Sequence, residues 1–426
     1  MKNVLVISYF FPPRGLGNSI HVTKIVKYLK NFGWNPVVLT AEKNRKHGRM
    51  DITLTDELPK DVTIVKTYSL EPVTELRRWR KFGKRQESNS SFSKISSLGR
   101  YLKFFFLIPD EHITWLAFAV VAGLNAIKRE NIEIIFSTGP PHTSHLIGYL
   151  LHRMTKKAWL VEFQDDWQNN PFLRFPTVLH KKIHALLEKI VVSNAWAVNI
   201  ASRDFSYFYP KMTDKFYHIT LGYDEEDFKN ISSEQNNKFE ILYVGTIYVN
   251  IKIEPFFIAL KRLFDEKPEI KNHLIFRFIG ASYQEDLNYL SEKYGIQENV
   301  KISSDIPHRE ISQHLVNASV LLILLGSTES DKRCYPGKVF EYLRAKRPIL
   351  AIIPEGILAN LIRKMDAGKV IHSDNIGGIK EAIRKFYLKW QRNELTLPSE
   401  RPIEQFEIKL LVEKLSQILE TLSQNG

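Results

Sequence analysis

The sequence predicts an α/β protein with two domains, each built on a doubly wound parallel β-sheet. Three observations predict this class. The chain has 426 residues, which is more than one ordinary hydrophobic core accommodates. Short apolar runs of strand length alternate with amphipathic runs of helical length, as in βαβ units. The alternation stops at the polar stretch 232–237 (SSEQNN) and then begins again, so we predict domains at 1–225 and 226–402.

The first strand–helix–strand unit opens the chain. Residues 2–8 (KNVLVIS) form a short apolar run, which is typical of a buried parallel strand rather than a cleavable leader. A loop with two glycines follows, and residues 19–31 carry apolar side chains at helical spacing. We expect Gly33 to end this helix before a second strand at 36–40.

The same alternation continues through both halves of the chain. In the first half, the predicted strands are 62–66, 132–137, 159–163 and 195–200, and the predicted helices are 113–128, 142–154 and 180–191. In the second half, the predicted strands are 239–244, 274–279, 300–303, 319–325, 349–353 and 369–372, with helices that include 255–264, 379–390 and 403–422. Ligands of open α/β sheets bind beyond the carboxyl ends of strands, so the loops after these strands are the candidate site.

The charge of the chain favours acidic partners. The formal net charge is +13, and residues 71–106 alone carry nine Lys or Arg against three Glu. Aromatic residues are interspersed among these charges, which indicates that residues 71–120 contact an anionic membrane surface. The alternative is a solvated loop followed by a core helix. Nucleic acid is a disfavoured partner because no recognised nucleic-acid-binding module surrounds the basic stretch.

Composition excludes several classes of protein. The single cysteine, Cys334, excludes internal disulfides and metal sites built from several cysteines, and it suits a reducing compartment. No uninterrupted apolar run reaches the roughly 18 residues of a transmembrane helix. We therefore expect a globular protein of ordinary composition.

The most informative motif is 335–343 (YPGKVFEYL). The Pro-Gly pair breaks the chain, and the helix start that follows offers unpaired N–H groups to an anion such as a phosphate. Lys338 and Glu341 are three residues apart and share one helix face. A cation for phosphate and a carboxylate for ribose hydroxyls predict a nucleotide site. The alternative is a surface Lys–Glu pair without a ligand.

The loop Gly15-Leu16-Gly17 superficially resembles a dinucleotide-binding fingerprint. Gly15 comes seven residues after the first strand, and Ile20 occupies the position of the third glycine. NAD is therefore disfavoured, and no Walker-type lysine loop is present. A glycine loop that lets the backbone approach a phosphate remains the prediction.

These features together resemble the GT-B glycosyltransferases, most closely those of family 4. Residues 2–40 resemble the start of that family's N-terminal domain, and 239–247 (FEILYVGTI) resemble the start of its C-terminal domain. Residues 335–352 (YPGKVFEYLRAKRPILAI) resemble its nucleotide-binding helix and the following strand. The closing run 403–422 is similar to the segment that crosses back, so the resemblance places 403–426 with the first domain.

The resemblance implies two Rossmann-like domains that face each other across a cleft. It implies transfer of a sugar from a nucleotide-sugar to an acceptor held by the N-terminal domain, with retention of the anomeric configuration and no obligatory metal or other cofactor. The expected acceptor is a lipid-linked glycan or a cell-surface polysaccharide of bacterial type. The expected place is the cytoplasm, peripherally at the inner face of the plasma membrane. The chemical task is to stabilise the negative charge of the leaving nucleoside diphosphate.

The donor-binding residues follow from the resemblance, position by position. Glu341 matches the second glutamate of the family's E-x7-E motif, which contacts ribose, whereas Arg333 stands at the position of the first. Thr246 follows the glycine where a basic pair is usual, so Lys252, Arg333 or Lys338 is expected to supply the charge. The predicted donor and phosphate ligands are Gly15, Gly17, Gly245, Lys252, Arg333, Gly337, Lys338 and Glu341.

Two residues are predicted to be catalytic. The family often has a functional histidine in the loop at 138–145, and His142 is nearer the strand end than His145; the alternative is a packing or capping role. Asp165 and Asp166 point in opposite directions on an extended chain, so we predict that Asp166 alone orients an acceptor hydroxyl, with helix capping as the alternative. Trp167 either packs on the acceptor or fills a gap. Asp110 is expected near the N-cap of the helix that follows it.

Two other functions remain open. One is a nucleotide-sugar epimerase of the same fold. The other is a non-catalytic nucleotide-sugar-binding homologue, because the first glutamate of the motif is replaced by Arg333.

Overall fold

The computed structural model describes residues 1–15, 17–42, 50–70, 105–168, 175–201, 209, 212–233, 237–247, 251–280, 284–304, 306–395 and 402–425. The chain divides into two compact units. Unit 1 comprises Met1–Met50, Leu54–Thr220 and Leu411–Gly426, and unit 2 comprises Asp51–Thr53 and Leu221–Leu410. The sequence predicts the corresponding limits at 225 and 402.

Unit 1 contains a seven-stranded parallel sheet in the order β3-β2-β1-β4-β5-β6-β7. Its strands are β1 (Lys2–Ile7), β2 (Trp34–Ala41), β3 (Thr63–Thr67), β4 (Ile132–Gly139), β5 (Ala158–Phe163), β6 (Ala197–Ile200) and β7 (Phe216–Tyr217). The helices in this part of the chain are α1 (Gly17–Leu29), the short α2 (Thr53–Asp56), α3 (Trp115–Arg129), α4 (Thr143–Thr155) and α5 (Val178–Asn194).

The local chemistry of the first βαβ unit explains its boundaries. Val4, Leu5, Val6 and Ile7 have no exposed surface, as expected for a parallel strand that is covered on both faces. Gly33 ends the helical stretch with φ +84°, and its N–H donates to the carbonyl of Lys30. Glycine adopts this left-handed conformation without steric penalty, so the predicted helix stop is confirmed.

Unit 2 contains a six-stranded parallel sheet in the order β10-β9-β8-β11-β12-β13. Its strands are β8 (Phe239–Val244), β9 (Leu274–Ile279), β10 (Val300–Ser303), β11 (Val320–Leu324), β12 (Ile349–Ile352) and β13 (Gly368–Ile371). Its helices are α6 (Glu254–Glu266), α7 (Pro268–Lys271), α8 (Gln284–Lys293), α9 (His308–Asn317), α10 (Lys338–Arg344), α11 (Ile357–Lys364) and α12 (Ile376–Gln391), and α13 (Ile408–Gln424) follows.

Both sheets reverse their strand order beside their first strand. In unit 1 the reversal lies between β1 and β4, and in unit 2 it lies between β8 and β11. Ligands of open parallel sheets bind outside the carboxyl ends of the strands at such a switch point. The predicted class, two doubly wound parallel sheets, is confirmed, and the topology directs attention to the loops after these four strands.

The closing helix α13 belongs largely to unit 1, because the residues from Leu411 onward are part of that unit. Lys2 Nζ lies 2.7 Å from Glu420 Oε1, and Ser423 donates a hydrogen bond to Glu133 at 2.9 Å. These contacts attach the end of the chain to the edge where β1 and β4 begin. Among the described residues, no helix combines the length and the apolar character needed to cross a membrane.

Candidate functional site

Helix α10 carries Lys338 and Glu341 at the switch point of unit 2. Val339, Phe340, Tyr342 and Leu343 are buried against the sheet, which leaves Lys338 and Glu341 on the remaining face. The Tyr342 hydroxyl accepts a hydrogen bond from the backbone N–H of Val244, at the end of β8. The buried face therefore fixes α10 at the carboxyl ends of the central strands.

The start of α10 differs from the sequence prediction. The N–H of Val339 donates to the carbonyl of Pro336 at 2.9 Å, and the N–H of Phe340 donates to that of Gly337 at 3.2 Å. The tight turn after Pro336-Gly337 therefore satisfies two of the amides that we expected to be unpaired, and for these two the prediction is wrong. The positive charge at this helix start comes mainly from the Lys338 side chain.

The Lys338 ammonium lies against the turn that follows β8. The Lys338 Nζ is 4.1 Å from the centroid of the Tyr243 ring. A Cβ atom added to Gly245 would lie 3.0 Å from the same Nζ. Gly245 has φ +115°, so the position requires glycine both for its backbone and for the approach of Lys338. Burial lowers the pKa of Lys338 to about 7, and nearby Glu341 only partly opposes this. An anion bound here would restore the charged form.

Glu341 is held by a histidine that sequence analysis missed. The Nε2 of His308 lies 2.8 Å from Glu341 Oε1, and the His308 side chain is almost completely buried. The backbone N–H of His308 donates to Asp51 Oδ2 at 2.7 Å, which fixes the first residue of α9. The alternative to a nucleotide site, a surface pair of Lys338 with Glu341, is thus not what the structure has. Glu341 pairs with His308 instead, which orients the carboxylate before any ligand binds.

The other predicted donor ligands have different surroundings. Lys252 is exposed and lies 3.9 Å from Asp374, and Arg333 is exposed in the loop before α10. In unit 1, Gly15 is buried, whereas Gly17 is exposed and begins α1. In unit 2 the structure therefore brings together Gly245, Gly337, Lys338 and Glu341. Lys252 instead pairs with the carboxylate of Asp374.

His142 lies at the switch point of unit 1, immediately before α4. It is 4% exposed, and its ring stacks on that of Trp167 with 4.3 Å between centroids and 2° between planes. Its Nδ1 has no hydrogen-bond partner among the described residues. Burial, together with the neighbouring His145 and His184, holds the pKa of His142 well below its usual value. The imidazole is therefore neutral at pH 7.

The start of α4 already holds a carboxylate from the protein itself. Asp110 accepts hydrogen bonds from the backbone N–H and the hydroxyl of Thr143, at 2.9 and 2.7 Å. The sequence predicts that Asp110 caps the helix that follows it, but that helix begins at Trp115, and Asp110 caps α4 instead. Spacing along the chain could not show this contact, because it joins residues 33 positions apart.

Asp166 and Trp167 follow the end of β5. Trp167 is fully buried, and its indole N–H donates to His184 Nδ1 at 3.1 Å. Of the two roles predicted for Trp167, the structure supports the filling of a gap in the core. Asp165 is exposed and Asp166 is half-buried, so the adjacent carboxylates have different environments, and the catalytic role of Asp166 stays a prediction.

A buried carboxylate that the sequence did not single out connects α1 to the sheet of unit 1. Glu162 accepts hydrogen bonds from Thr138 at 2.7 Å and Asn199 at 3.1 Å, and its Oε2 lies 3.1 Å from His21 Nε2 on α1. Burial alone would raise the pKa of Glu162, but His21 and these hydrogen bonds outweigh it and lower the pKa. The ionised carboxylate therefore ties the helix after the glycine loop to the ends of three strands.

Comparison with known proteins identifies the class of fold. Residues 224–396 match the family model described as Glycosyl transferases group 1, and no curated protein matches the chain significantly in sequence. The structure of sucrose-phosphate synthase from Thermosynechococcus elongatus is similar to this one, and the alignment covers 100% of this chain and 100% of that enzyme's chain. Its TM-score is 0.68 and its sequence identity is 13%. Anabaena HepE, solved in complex with UDP, covers 99% of this chain and 100% of its own, with a TM-score of 0.64 and 11% identity. A Listeria monocytogenes structure, provisionally assigned as a UDP-N-acetylglucosamine 2-epimerase, covers 100% of this chain and 97% of its own, with a TM-score of 0.58 and 10% identity.

The matches agree with the geometry of unit 2. The segment matched by the family model contains Gly245, His308, Lys338 and Glu341, the residues that form the group described above. The likeness to solved structures extends over both units and, at these identities, shows the fold. The chain therefore has the GT-B fold, and residues 224–396 are similar to the Glycosyl transferases group 1 model.

Proposed function

We propose that this protein transfers a sugar from a nucleotide-sugar to an acceptor hydroxyl. One observation carries the proposal: Lys338 lies against Gly245, and Glu341 is held by His308 on the same helix face, within the segment that matches the glycosyltransferase family. A desolvated ammonium suits a diphosphate. A fixed carboxylate whose second oxygen accepts no hydrogen bond from the described residues suits a ribose hydroxyl.

These residues meet the chemical needs of the reaction without a metal. As the bond between the sugar and the diphosphate breaks, negative charge grows on the leaving phosphate, and a preorganised cation stabilises it. Lys338 supplies that cation, and neither a metal nor another cofactor is part of the proposal. We further propose that the anomeric configuration is retained, on the basis of the family resemblance.

In unit 1 we assign the acceptor roles to His142 and Asp166. His142 is neutral, so it contributes hydrogen bonds to a sugar or acceptor hydroxyl. Asp166 is half-buried after β5 and orients the attacking hydroxyl. Replacing either residue should lower kcat more than it weakens nucleotide binding, which belongs to unit 2.

A panel of nucleoside diphosphates and nucleotide-sugars tests the donor site by thermal shift. A ligand that binds only the folded state raises Tm, and at a concentration of 100 Kd it adds about 2.7 kcal/mol to the free energy of unfolding. Glu341→Ala should lose the shift given by the preferred donor, whereas Glu355→Ala, which removes an exposed carboxylate paired with Arg363, should keep it. No shift with any nucleotide would contradict the proposal. Turnover that disappears on chelation would contradict its metal independence.

For the acceptor we propose a lipid-linked glycan or cell-surface polysaccharide, reached by peripheral contact of residues 71–120 with the cytoplasmic face of the plasma membrane. Residues 71–104 lie outside the described residues. Support comes from large apolar side chains just after them, since Phe106 is 71% exposed and Val121 is 63% exposed. The protein should float with anionic vesicles at low salt and not with neutral ones. Absence of binding at low salt would contradict membrane contact, and an unchanged surface glycan after gene deletion would contradict the role in polysaccharide assembly.

An epimerase is the second candidate, and the likeness to the Listeria structure favours it. The two functions differ in what they need: an epimerase converts the nucleotide-sugar alone, and a transferase needs an acceptor. Chromatography of the nucleotide-sugar after incubation without acceptor separates them. Slow donor hydrolysis above background would also exclude a non-catalytic homologue, which the exposed Arg333 in place of the first glutamate otherwise leaves open.

A further inference from the structure

Trp167 of unit 1 stacks on His142, the residue to which the proposed function gives an acceptor role. The two rings are parallel within 2°, and their centroids are 4.3 Å apart. The rings of His145, Phe163 and His184 are farther away, each with its centroid 6.5 Å from that of Trp167. Of these four neighbours, His142 is therefore the one that packs flat on the face of the indole.

The protein orients the His142 imidazole without using either ring nitrogen. Nδ1 is buried and has no hydrogen-bond partner, and no described residue forms a hydrogen bond with Nε2. A functional histidine is usually oriented by a hydrogen bond to one ring nitrogen, which also sets the tautomer. Since the described residues supply no such hydrogen bond to His142, the indole face is the contact that fixes the plane of its ring.

Trp167 is itself held in one orientation. It has no exposed surface, and its indole N–H donates to His184 Nδ1 at 3.1 Å. Burial lowers the pKa of His184, so its Nδ1 remains a hydrogen-bond acceptor at pH 7. The backbone beside His142 is fixed as well, because Asp110 accepts two hydrogen bonds from the next residue, Thr143. Both the ring and the backbone of His142 are thus set before a substrate binds.

We propose that Trp167 is a positioning residue, which holds His142 so that its Nε2–H donates a hydrogen bond to the attacking oxygen of a carbohydrate acceptor. Nδ1 is buried within the protein, so Nε2 is the nitrogen left to meet the acceptor. The proton belongs on Nε2 because a proton on Nδ1 would make a buried donor without a partner, which costs free energy and is rare. The inference rests on the proposed function, since His142 meets an acceptor only if the protein is a transferase.

Nuclear magnetic resonance of the ligand-free protein, with isotope-labelled histidine, tests the orientation of His142. In the parent chain, the indole face should shift the ring protons of His142 upfield, and the nitrogen shifts should show the Nε2–H tautomer. Trp167→Phe should keep most of the upfield shift, and Trp167→Leu should abolish it. A proton on Nδ1, or ring shifts that are unchanged in Trp167→Leu, would overturn the proposal.

Turnover tests whether this orientation matters. The assay measures release of nucleoside diphosphate from the nucleotide-sugar that gives the largest thermal shift, with water as the attacking oxygen. Trp167→Leu should lower kcat about tenfold and leave the Kd of the nucleotide-sugar unchanged, because a misplaced group loses its contribution to the reaction. Trp167→Phe, which keeps an aromatic face, should restore most of kcat. Trp167→Met takes the place of the leucine variant if that variant does not fold.

Trp34→Leu is the matched control for the loss of a buried indole. Trp34 is 1% exposed and lies at the amino end of β2, whereas ligands bind beyond the carboxyl ends of strands. This variant should lower Tm, as Trp167→Leu does, but should keep kcat. Equal losses of kcat in the two variants, or parent kcat in a folded Trp167→Leu protein, would contradict a positioning role.

A double-mutant cycle separates positioning from packing. If Trp167 acts through His142, Trp167→Leu should cost no further turnover in a His142→Ala background, although it should still lower Tm. A further loss of turnover in the double variant would refute the proposal and leave Trp167 with a packing role. Absence of turnover in the parent chain with every nucleotide-sugar would instead count against the proposed function, and the resonance shifts would then decide the orientation of His142 by themselves.

Discussion

The lowered pKa of Lys338 links both the stability of the fold and the proposed binding of a donor to pH. Its folded pKa is about 7, whereas an unfolded lysine has a pKa near ~10.4. Between these values the unfolded chain binds more protons, so this residue makes the folded state more stable as pH rises from 7 toward 10 and less stable below 7. Binding of a diphosphate has the opposite dependence, because it requires the protonated form.

We therefore expect affinity for a nucleotide-sugar to fall as pH rises above 7, by up to about tenfold per unit. A nucleotide-sugar is the right probe, because its diphosphate has no terminal group that titrates near pH 6. Calorimetry from pH 6 to 9 measures the effect. Lys338→Arg should have a flat profile, and Lys261→Arg, at an exposed lysine paired with Asp265, should keep that of the parent chain. Equal pH dependence in the parent and in Lys338→Arg would contradict the assignment.

Gly245 should tolerate no side chain. With φ at +115°, alanine strains the backbone by about 1–3 kcal/mol, and its Cβ would displace the Lys338 ammonium 3.0 Å away. Gly245→Ala should therefore lower Tm and also weaken donor binding. Gly377→Ala is the matched control, because its Cβ would meet only Asn375 at 3.9 Å and helical alanine is favoured over glycine. Normal donor affinity in Gly245→Ala would mean that Lys338 does not need this turn.

His308 should act through Glu341 rather than independently. His308→Ala leaves the Glu341 carboxylate without its 2.8 Å partner, so donor affinity should fall about tenfold, and His308→Gln should restore part of it. The decisive measurement is a double-mutant cycle with Glu341→Ala. Because both residues serve one contact, the double variant should be little worse than Glu341→Ala. Additive losses would show that His308 has a separate role.

At the scale of elements, strands and helices are easiest to predict from the sequence where their residues are apolar and buried. Strands β8, β9 and β10 match the predicted ranges residue for residue. The runs of β8 and β9 are mostly apolar and buried, whereas the four residues of β10 (VKIS) include only one that is buried. Helix α9 (HREISQHLVN) was not predicted, since it has few apolar residues and only one buried face. Contacts between distant elements, such as that of His308 with Glu341 or Asp110 with Thr143, leave no periodic pattern in the chain.

Helix α4 provides a test at this scale. Asp110 caps its first N–H from another segment, so Asp110→Ala should lower the free energy of unfolding by about 1 kcal/mol. Asp265→Ala removes an exposed i,i+4 partner of Lys261 and should change it by only a few tenths of a kcal/mol. Chemical denaturation measures both. If the two variants lose equal stability, Asp110 is not the cap that holds α4.

At the scale of the whole molecule, each of the two units holds a separate group of candidate functional residues. Unit 2 holds the cation and the carboxylate suited to a nucleotide, and it carries the match to the glycosyltransferase family at 224–396. Unit 1 holds neutral His142 and the helix α1, which His21 ties to Glu162. Both sets lie at the switch points of their sheets, where open parallel sheets bind ligands. The parallel topology was predicted correctly, and the ligand-binding roles of these residues stay predictions.

This division predicts where a nucleotide protects the backbone. Hydrogen exchange with saturating UDP should slow most in unit 2, at the end of β8 and along α9 and α10, because ligand binding suppresses local opening of the elements that it contacts. Glu341→Ala should remove this protection at the same UDP concentration, and Glu355→Ala should retain it. Protection confined to unit 1 would mean that the nucleotide site has been assigned to the wrong half of the chain.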